Sequence, residues 1–556
     1  MTVLSNDVGT VVLRATVLLV SFVIARFAYG GYVVRRRFAA LKKQGIPLIP
    51  HSMIWGHLKI LGEYSNANPK DISTNHLSIW FVENWENLFP GEKQCPTVAY
   101  LDLWPVSNPV LFSLHPKISA QFTQTTSLPK DVMERDFLKP LTGNKDMVSA
   151  DGEQWKRWRS VFNPGFSPRG IMALVPAIME DMVTFLKVLD SYAGDEGQCG
   201  QVVQLEQLTT NLTFDIIAKA VLGLKLSEQS GKSSALKTAM TNMTKQIGTR
   251  PSLKRMLEPY NPWSQVKHNN RVMKKELMPS IHSHLSSVES VKETKTIMDL
   301  AAQSIRKDAG LESDPQFLDN ILENLKAFLF AGHDTTATTI CWVFKLLEEN
   351  PECLAKLRQE QDEQLGRNPD DASRVILENP HVLNAMPYAL GCIKETLRLY
   401  TPAATARAGQ RGFFLVDPVT DMQYPTEHYA VGDGTPGCHY RDDVWPRPRD
   451  FIPERWLAKD GDPLFPMKDA WRPFELGPRN CIGQELAVME LRLVLALVVR
   501  KFDIRQAWNE WDELKGNGDT HDMIDGERLY MVGDGTGHTK DETPVLITRR
   551  VVGVAR

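Results

Sequence analysis

Apolar residues form one long run near the start of the chain. Residues 8–34 contain only two charged side chains, Arg14 and Arg26. About 20 apolar residues are enough to cross the hydrocarbon core of a bilayer, so this run predicts a transmembrane helix. An arginine at the centre of a span costs about 2.5–3.5 kcal/mol. Both side chains can reach the interfaces if they lie toward opposite ends of the span.

Basic residues follow the apolar run at 35–37 and 42–43. The positive-inside rule therefore predicts that the bulk of the chain lies in the cytoplasm. Two alternatives stay open. A cleaved signal peptide is disfavoured, because its basic cluster precedes the apolar run. A buried core helix is the other alternative, because the two arginines weaken the case for a span.

Helical periodicity dominates the remainder of the chain. Three segments show it most clearly: about 315–350, 385–400 and 481–501. Strand-like runs are short and few: 412–416 and 543–547. The first helix has Asp314 at its N-cap and Pro315 at its first helical position, and Asn350-Pro351 ends it. These patterns predict a mainly α fold with small β-sheets.

Composition excludes several classes of protein. Of the 556 residues, 42% are hydrophobic and 24% are charged, as in ordinary globular proteins rather than disordered or collagen-like chains. The 64 basic and 67 acidic residues give a net charge of -3, which argues against a nucleic-acid partner. Seven cysteines without a C-x-x-C pair argue against a disulfide scaffold and a four-cysteine zinc site.

Candidate chemistry concentrates on one of these cysteines. Residues 474–483 read Phe-Glu-Leu-Gly-Pro-Arg-Asn-Cys-Ile-Gly, which places Cys481 where a loop enters a predicted helix. The first amides and the dipole of that helix are expected to lower the pKa of the thiol and to favour a thiolate ligand. Gly477 and Gly483 allow a flat ligand to approach closely, and Arg479 can pair with a carboxylate on that ligand. The alternative is a free cysteine buried at a helix start.

This segment matches Phe-x-x-Gly-x-Arg-x-Cys-x-Gly at every fixed position, and the chain therefore resembles the cytochrome P450 family, whose haem-binding signature this is. Further segments match motifs of the family in the right order: Trp-x-x-x-Arg at 155–159, the oxygen-activation motif at 331–336, Glu-x-x-Arg at 395–398 and Pro-Glu-Arg-Trp at 453–456. The resemblance covers nearly the whole chain. It implies an N-terminal membrane anchor (1–34), a basic and proline-bearing hinge (35–60) and one haem-binding catalytic domain (61–556).

The resemblance implies haem b with Cys481 as the axial iron ligand. A thiolate donates electron density to the iron and favours cleavage of the O–O bond. Phe474 is expected to pack near the sulfur and to limit water there. The other implied cofactor-binding residues are Gly477, Arg479, Trp155, Arg159 and Arg407. For Arg407 a solvated surface charge stays open as the alternative to a partner of a haem propionate.

Two further sets of residues have roles implied by the resemblance. Asp334 and Thr335 would relay protons for catalysis; the alternative is a threonine-rich stretch that faces a neighbouring helix. Glu395, Arg398 and Arg455 would form a buried triad that shapes the haem pocket without taking part in catalysis. By themselves, Glu395 and Arg398 are spaced like an ordinary surface ion pair.

The predicted function is a monooxygenase that inserts one oxygen atom of O₂ into an apolar small molecule. Electrons would come from an NADPH-cytochrome P450 reductase, because no G-x-G-x-x-G follows a strand. The resemblance implies a location in the endoplasmic reticulum membrane with the catalytic domain in the cytoplasm. The residues at the variable positions of the signature resemble those of fungal members, which suggests secondary metabolism. The alternatives are a haem-thiolate isomerase or dehydratase that needs no reductase, and a non-catalytic haem-binding protein. Neither alternative needs the pair Asp334 and Thr335.

Two segments depart from the pattern of the family. The stretch 425–442 is shorter than expected, which puts the pocket wall there in doubt. Residues 509–543 form a long polar insertion for which the sequence predicts no role.

Overall fold

Helices make up most of the protein, and short strands form small sheets beside them. The computed structural model describes residues 2–194, 200–245, 247, 262–286, 295–307, 316–516, 518 and 520–550. The predicted fold class, mainly α with small β-sheets, is confirmed.

The N-terminal helix α1, Thr2–Lys43, carries the apolar run. Its outer part is exposed, and it is long and apolar enough to cross a membrane. From Val34 onward the same helix turns apolar side chains into the protein, where Phe38 and Leu41 are 1% and 3% exposed. The predicted boundary between anchor and hinge at residue 34 stays a prediction, and the helix is continuous across it.

The helices before the middle of the chain are α2 Leu58–Ala67, α3 His76–Glu83, α4 Trp85–Leu88, α5 Pro116–Ala120, α6 Val132–Thr142, α7 Gly152–Phe162, α8 Pro168–Tyr192, α9 Leu205–Leu222, α10 Ala235–Thr244, α11 Pro262–Ser286 and α12 Ile297–Lys307. Those that follow are α13 Phe317–Glu349, α14 Pro351–Leu365, α15 Ala372–Glu378, α16 Pro387–Leu399, α17 Thr435–Cys438, α18 Gln484–Val498 and α19 Trp508–Lys515.

Helix α13 runs through the core of the protein. Most of its side chains are buried, and it packs along α9. It begins at Phe317, whereas the predicted N-cap Asp314 and Pro315 lie outside the described residues. It ends before Asn350-Pro351, as predicted. Its burial on nearly all sides explains why apolar residues occur around the whole helix instead of on one face.

The strands are β1 Val98–Leu101, β2 Val110–Ser113, β3 Val203–Gln204, β4 Ala406–Ala408, β5 Phe414–Val416, β6 Gln423–Pro425, β7 Ala430–Asp433, β8 Phe502–Gln506, β9 Met531–Val532, β10 His538–Thr539 and β11 Pro544–Arg549. They form a four-stranded sheet in the order β1-β2-β7-β4, a three-stranded sheet in the order β3-β11-β8, and two hairpins, β5-β6 and β9-β10. Both strand-like runs of the sequence, 412–416 and 543–547, are confirmed within a few residues.

The described residues of the two segments that depart from the family pattern form regular elements. In the short stretch 425–442, β7 pairs parallel with β2 and antiparallel with β4, so it lies inside the largest sheet. The insertion 509–543 contains most of α19 and the hairpin β9-β10. The hairpin precedes β11 in the chain and lies against α13, and its Thr539 is hydrogen-bonded to Glu206 of α9.

Candidate active site

Cys481 lies at the end of a tight loop formed by the signature segment. The amide of Cys481 donates to the carbonyl of Phe474 at 2.8 Å and closes the loop. Gly477 has a φ of 101°. A Cβ atom there would lie 2.3 Å from the carbonyl oxygen of Thr123. Only glycine fits, because both the left-handed backbone and the close approach exclude a side chain.

The sulfur of Cys481 faces backbone amides that precede and begin α18. This helix starts at Gln484 with Gly483 as its N-cap, three residues later than the sequence predicts. Burial raises the pKa of the Cys481 thiol, and hydrogen bonds from the amides of Gly483 and Gln484 and the charge of Arg159 oppose this only in part. The predicted effect of the helix amides, a lower pKa, is confirmed in direction, but burial outweighs it. A coordinating metal ion deprotonates a thiol outright, so a metal ion bound here would hold Cys481 as the thiolate.

A cavity of about 300 Å³ lies between the cysteine loop and α13. Phe474 and Cys481 line it on one side, and Ala331 and Thr335 of α13 also contribute to its lining. Its surface is mainly apolar, with charged residues at several points. A flat, largely apolar ligand that carries a few anionic groups matches this lining.

Thr335 lines this cavity from the middle of α13. Its hydroxyl donates to the carbonyl of Ala331 at 2.9 Å, and Thr339 donates to the carbonyl of Thr335 at 2.7 Å. Such bonds back to the preceding turn loosen the regular helical pattern. Gly332 has a different role, since a Cβ atom there would lie 2.7 Å from Ile217 of α9. It allows the two helices to pack closely.

Asp334 borders a different cavity from Thr335. In the described part of the chain, it is absent from the lining of the 300 Å³ cavity. It lines a second cavity of about 1860 Å³, together with Glu206 and His538. The structure therefore places the two members of the predicted relay next to each other on α13 but on different cavities.

Two of the basic residues predicted to meet the haem propionates, Arg159 and Arg479, line the first cavity and are paired with protein groups, whereas Arg407 is absent from its lining among the described residues. Arg479 donates to Asp151 at 2.9 Å and stacks over Trp155 at 4.8 Å from the ring centre. Arg159 donates to the carbonyl and to the side-chain oxygen of Asn480 at 2.7 and 2.9 Å. Trp155, Arg159 and Arg479 all line the cavity.

Arg407 is fully buried and unevenly paired. It forms an ion pair with Glu475, yet its Nε and Nη1 atoms have no hydrogen-bond partner among the described residues. The alternative of a solvated surface charge is therefore wrong for Arg407. A buried guanidinium with unpaired donors is costly unless an anionic group approaches it.

The predicted site lacked five charged residues that line the cavity: Lys130, Asp433, Arg472, Glu475 and Glu490. Lys130 donates to Glu134 at 2.5 Å and to Thr405 at 2.7 Å. Glu475 occupies a variable position of the signature, and the other four lie in no motif. Only the folded backbone brings them to the cavity, so a sequence pattern gives no signal for them.

Glu395, Arg398 and Arg455 form the predicted triad. The carboxylate of Glu395 accepts from Arg398 at 2.8 and 3.1 Å and from Arg455 at 3.0 Å, and all three side chains are fully buried. The surface-pair alternative is therefore wrong. Trp456 adds a further hydrogen bond, from its Nε1 to Glu395 at 3.2 Å. Buried charges need this degree of pairing, because an unpaired one is costly.

Comparison with known proteins assigns the chain to a family. The model of the family "Cytochrome P450" matches residues 94–518. The cytochrome P450 monooxygenase polC of Polytolypa hystricis is 34% identical over 544 residues, which cover 96% of this chain and 94% of that protein. The cytochrome P450 monooxygenase acrF of Aspergillus aculeatus is 30% identical, covering 80% of this chain and 93% of that protein.

Solved structures share the fold. The crystal structure of the cytochrome P450DA heme domain superposes with a TM-score of 0.65 at 18% identity, covering 91% of this chain and 98% of that chain. A mutant of the same heme domain gives a TM-score of 0.68 with the same identity and coverage.

Proposed function

The chain belongs to the cytochrome P450 family and is a haem-thiolate monooxygenase, and on that premise we propose that it inserts one oxygen atom of O₂ into an apolar small molecule of fungal secondary metabolism. One observation carries the proposal: Cys481, held by the closed signature loop, lines the same mainly apolar cavity as Thr335. The relatives named as fungal monooxygenases support the metabolic setting.

The residues of the first cavity fit haem b. Cys481 would ligate the iron, and Phe474 would shield the sulfur from water. Arg407 lies outside the cavity lining, but its Nε and Nη1 atoms, which have no hydrogen-bond partner among the described residues, suit a propionate, and Trp155 and Arg479 would complete that side of the pocket. When bound, the haem supplies the iron at which O₂ is reduced and activated.

Gly477 contributes to the same site through the backbone. Because Gly477 has no side chain, the cysteine loop can pack against the carbonyl of Thr123. We propose that this contact helps to position the loop beside the cavity. The triad of Glu395, Arg398 and Arg455 would act further from the haem. It ties α16 to the segment that precedes the cysteine loop, and we assign it a structural role.

Protons must reach the reacting oxygen promptly, because reduced oxygen otherwise escapes. The hydroxyl of Thr335 lies in the cavity wall and can hold a proton there while it accepts or donates. Asp334 immediately precedes it on α13 and lies on the side of the second cavity. We assign proton transfer to this pair.

The family and the basic surface of α7 indicate the redox partner, and the apolar helix α1 indicates the membrane. A redox partner of the reductase type supplies electrons to the family, and we propose an NADPH-cytochrome P450 reductase. Lys156 is exposed on α7, and Arg157 is half-buried beside it. This helix also carries Trp155 and Arg159 of the cavity, so an acidic partner that docks here would approach the haem side. The apolar part of α1 supports an anchor in the endoplasmic reticulum membrane with the catalytic domain in the cytoplasm.

The proposal is tested by mass spectrometry of extracts from the source organism with and without the gene. We expect the deletion strain to accumulate a compound that is lighter by one oxygen atom than the product it loses. If the two compounds have equal mass, the enzyme is an isomerase and the assignment of the proton relay is wrong.

A further inference from the structure

The hairpin of the C-terminal insertion places a histidine beside Asp334. His538 is the first residue of β10, and its Nε2 atom lies 3.6 Å from Oδ2 of Asp334. Its Nδ1 atom lies 2.6 Å from Oε1 of Glu206 on α9. The imidazole thus bridges two carboxylates that belong to two helices of the core.

Glu206 is fixed by the residue that follows the histidine. The amide of Thr539 donates to Oε2 of Glu206 at 2.8 Å, and the hydroxyl of Thr539 donates to the same oxygen. Glu206 is buried. The hairpin is therefore attached to α9 independently of the imidazole, and a change at His538 leaves these bonds in place.

Electrostatics favours the charged imidazole. Burial by itself would lower the pKa of His538, but the hydrogen bond to Glu206 and the charge of Asp334 raise it to about 9. Other charged or titratable groups face the same space: Glu542 after the hairpin, His333 on α13, Lys237 on α10, and Lys540, which pairs with Asp71. Near neutral pH, an imidazolium lies between the two carboxylates.

His538 also borders the second cavity. Its side chain is 39% exposed, whereas that of Asp334 is 8% exposed. The cavity of about 1860 Å³ includes both residues in its lining. Water in this cavity can thus reach the histidine, and the carboxylate of Asp334 lies behind it.

We propose that His538 is a positioning residue of the oxygenation reaction: as a cation it holds the carboxylate of Asp334 at the second cavity, where the carboxylate collects protons from water for Thr335. The inference rests on the monooxygenase function proposed above. Each turnover consumes O₂, two electrons and two protons, and the protons come from this water. Without the cation, Asp334 loses its partner and delivers protons more slowly, so that more reduced oxygen escapes.

The first test does not depend on activity. Thermal unfolding of the full-length, haem-loaded protein in detergent is measured from pH 5 to pH 10 for the wild type and for His538→Gln. Because the pKa of His538 is raised on folding, its stabilising contribution is complete below about pH 6.5. It is lost as the pH rises through about 9. The wild type should therefore exceed the variant in stability at low pH, and the difference should vanish above pH 9.

The second test measures hydrogen peroxide and superoxide released per NADPH with a purified NADPH-cytochrome P450 reductase. In the wild type we expect the released fraction to rise as the pH passes about 9. In His538→Gln it should be several-fold above that of the wild type near neutral pH and show no such transition, so that the two proteins converge above pH 9. In His538→Lys the transition should move upward, because lysine titrates near 10.4. A purely structural histidine would not make this transition follow the pKa of the introduced cation.

His521→Gln is the matched control. It makes the same substitution in the same insertion, at a histidine that lies 3.3 Å from Asp512. It should behave as the wild type. If the wild type lacks the transition near pH 9, or if His538→Gln keeps it, the inference is wrong. If the wild type binds haem through Cys481 but consumes no NADPH with the reductase, the proposed function fails instead.

Discussion

At the scale of single residues, the site contains a thiol and a guanidinium that neighbouring protein groups stabilise only in part. Burial works against the thiolate of Cys481, and the amides of Gly483 and Gln484 offset this only in part. Arg407 likewise keeps two nitrogen atoms in the interior for which the described part of the chain offers no hydrogen-bond partner. A bound cofactor would stabilise both groups further, so haem binding and local stability should be coupled.

Replacement of Cys481 by alanine tests the axial ligand. We expect Cys481→Ala to fold, to lose the absorbance band that reduced haem-thiolate proteins show with carbon monoxide, and to lose all oxygenation. The absorbance spectrum and product analysis check this. Cys353→Ala, a change at a half-buried thiol elsewhere, is the control. A normal carbon monoxide spectrum in Cys481→Ala would contradict the assignment.

Replacement of Thr335 by alanine tests proton transfer. The variant should keep its haem, because Thr335 contributes no ligand, but coupled product formation should fall about 10-fold or more. Product formed per NADPH is the measurement. Thr338→Ala removes a fully buried hydroxyl from the same helix and should stay coupled. Full coupling in Thr335→Ala would exclude Thr335 from the relay.

Trp456 offers a prediction for the triad. Its indole donates to Glu395 at 3.2 Å, which a phenylalanine at this position cannot do. Trp456→Phe should therefore lower the free energy of unfolding by about 1 kcal/mol. Thermal or denaturant unfolding measures this, with Trp55→Phe at an exposed position as control. An unchanged stability would show that Arg398 and Arg455 satisfy Glu395 by themselves.

At the scale of elements, the sequence predicted the helices where periodicity and end signals agree. Helix α16 spans Pro387–Leu399 against a prediction of 385–400. The start of α18 was misplaced, because the amide of Cys481 is used to close the signature loop and is not free to begin a helix. The hairpin β9-β10 could not be predicted, since two residues per strand are too few to show the alternation of apolar and polar side chains.

Some positions of site residues could also be predicted from local sequence patterns, and others could not. Motif residues such as Glu395 and Arg398 could be assigned from spacing plus resemblance. The side of α13 that Asp334 faces could not, because neighbouring residues of a helix point about 100° apart and the partners come from α9 and β10. The pairing of Asp334 with His538 spans about 200 positions and required the fold.

At the scale of the whole molecule, distant segments form one site. Arg159 and Asn480 are 321 positions apart and share two hydrogen bonds. The resemblance predicted this convergence, because every motif of the family serves one haem. Length alone would have suggested several domains.

Truncation tests the role of α1. Removal of residues 2–33 should release the protein from membranes while Phe38 and Leu41 keep their packing, so the haem should be retained. Removal of residues 2–43 also deletes these two buried side chains, at a cost of several kcal/mol. Membrane fractionation and thermal unfolding distinguish the two variants. Equal stability of both would show that the inner part of α1 is dispensable.

The continuity of α1 also has a geometric consequence. One end of this helix is exposed and apolar, and the other end packs against the four-stranded sheet. Because the helix is continuous, the orientation of one end determines the orientation of the other. Each residue inserted into it turns the globular body by about 100° and displaces it by about 1.5 Å along the helix axis. If the outer part crosses a bilayer, the number of residues in α1 sets which face of the enzyme points toward the lipid, and with it the side from which a lipid-dissolved substrate arrives.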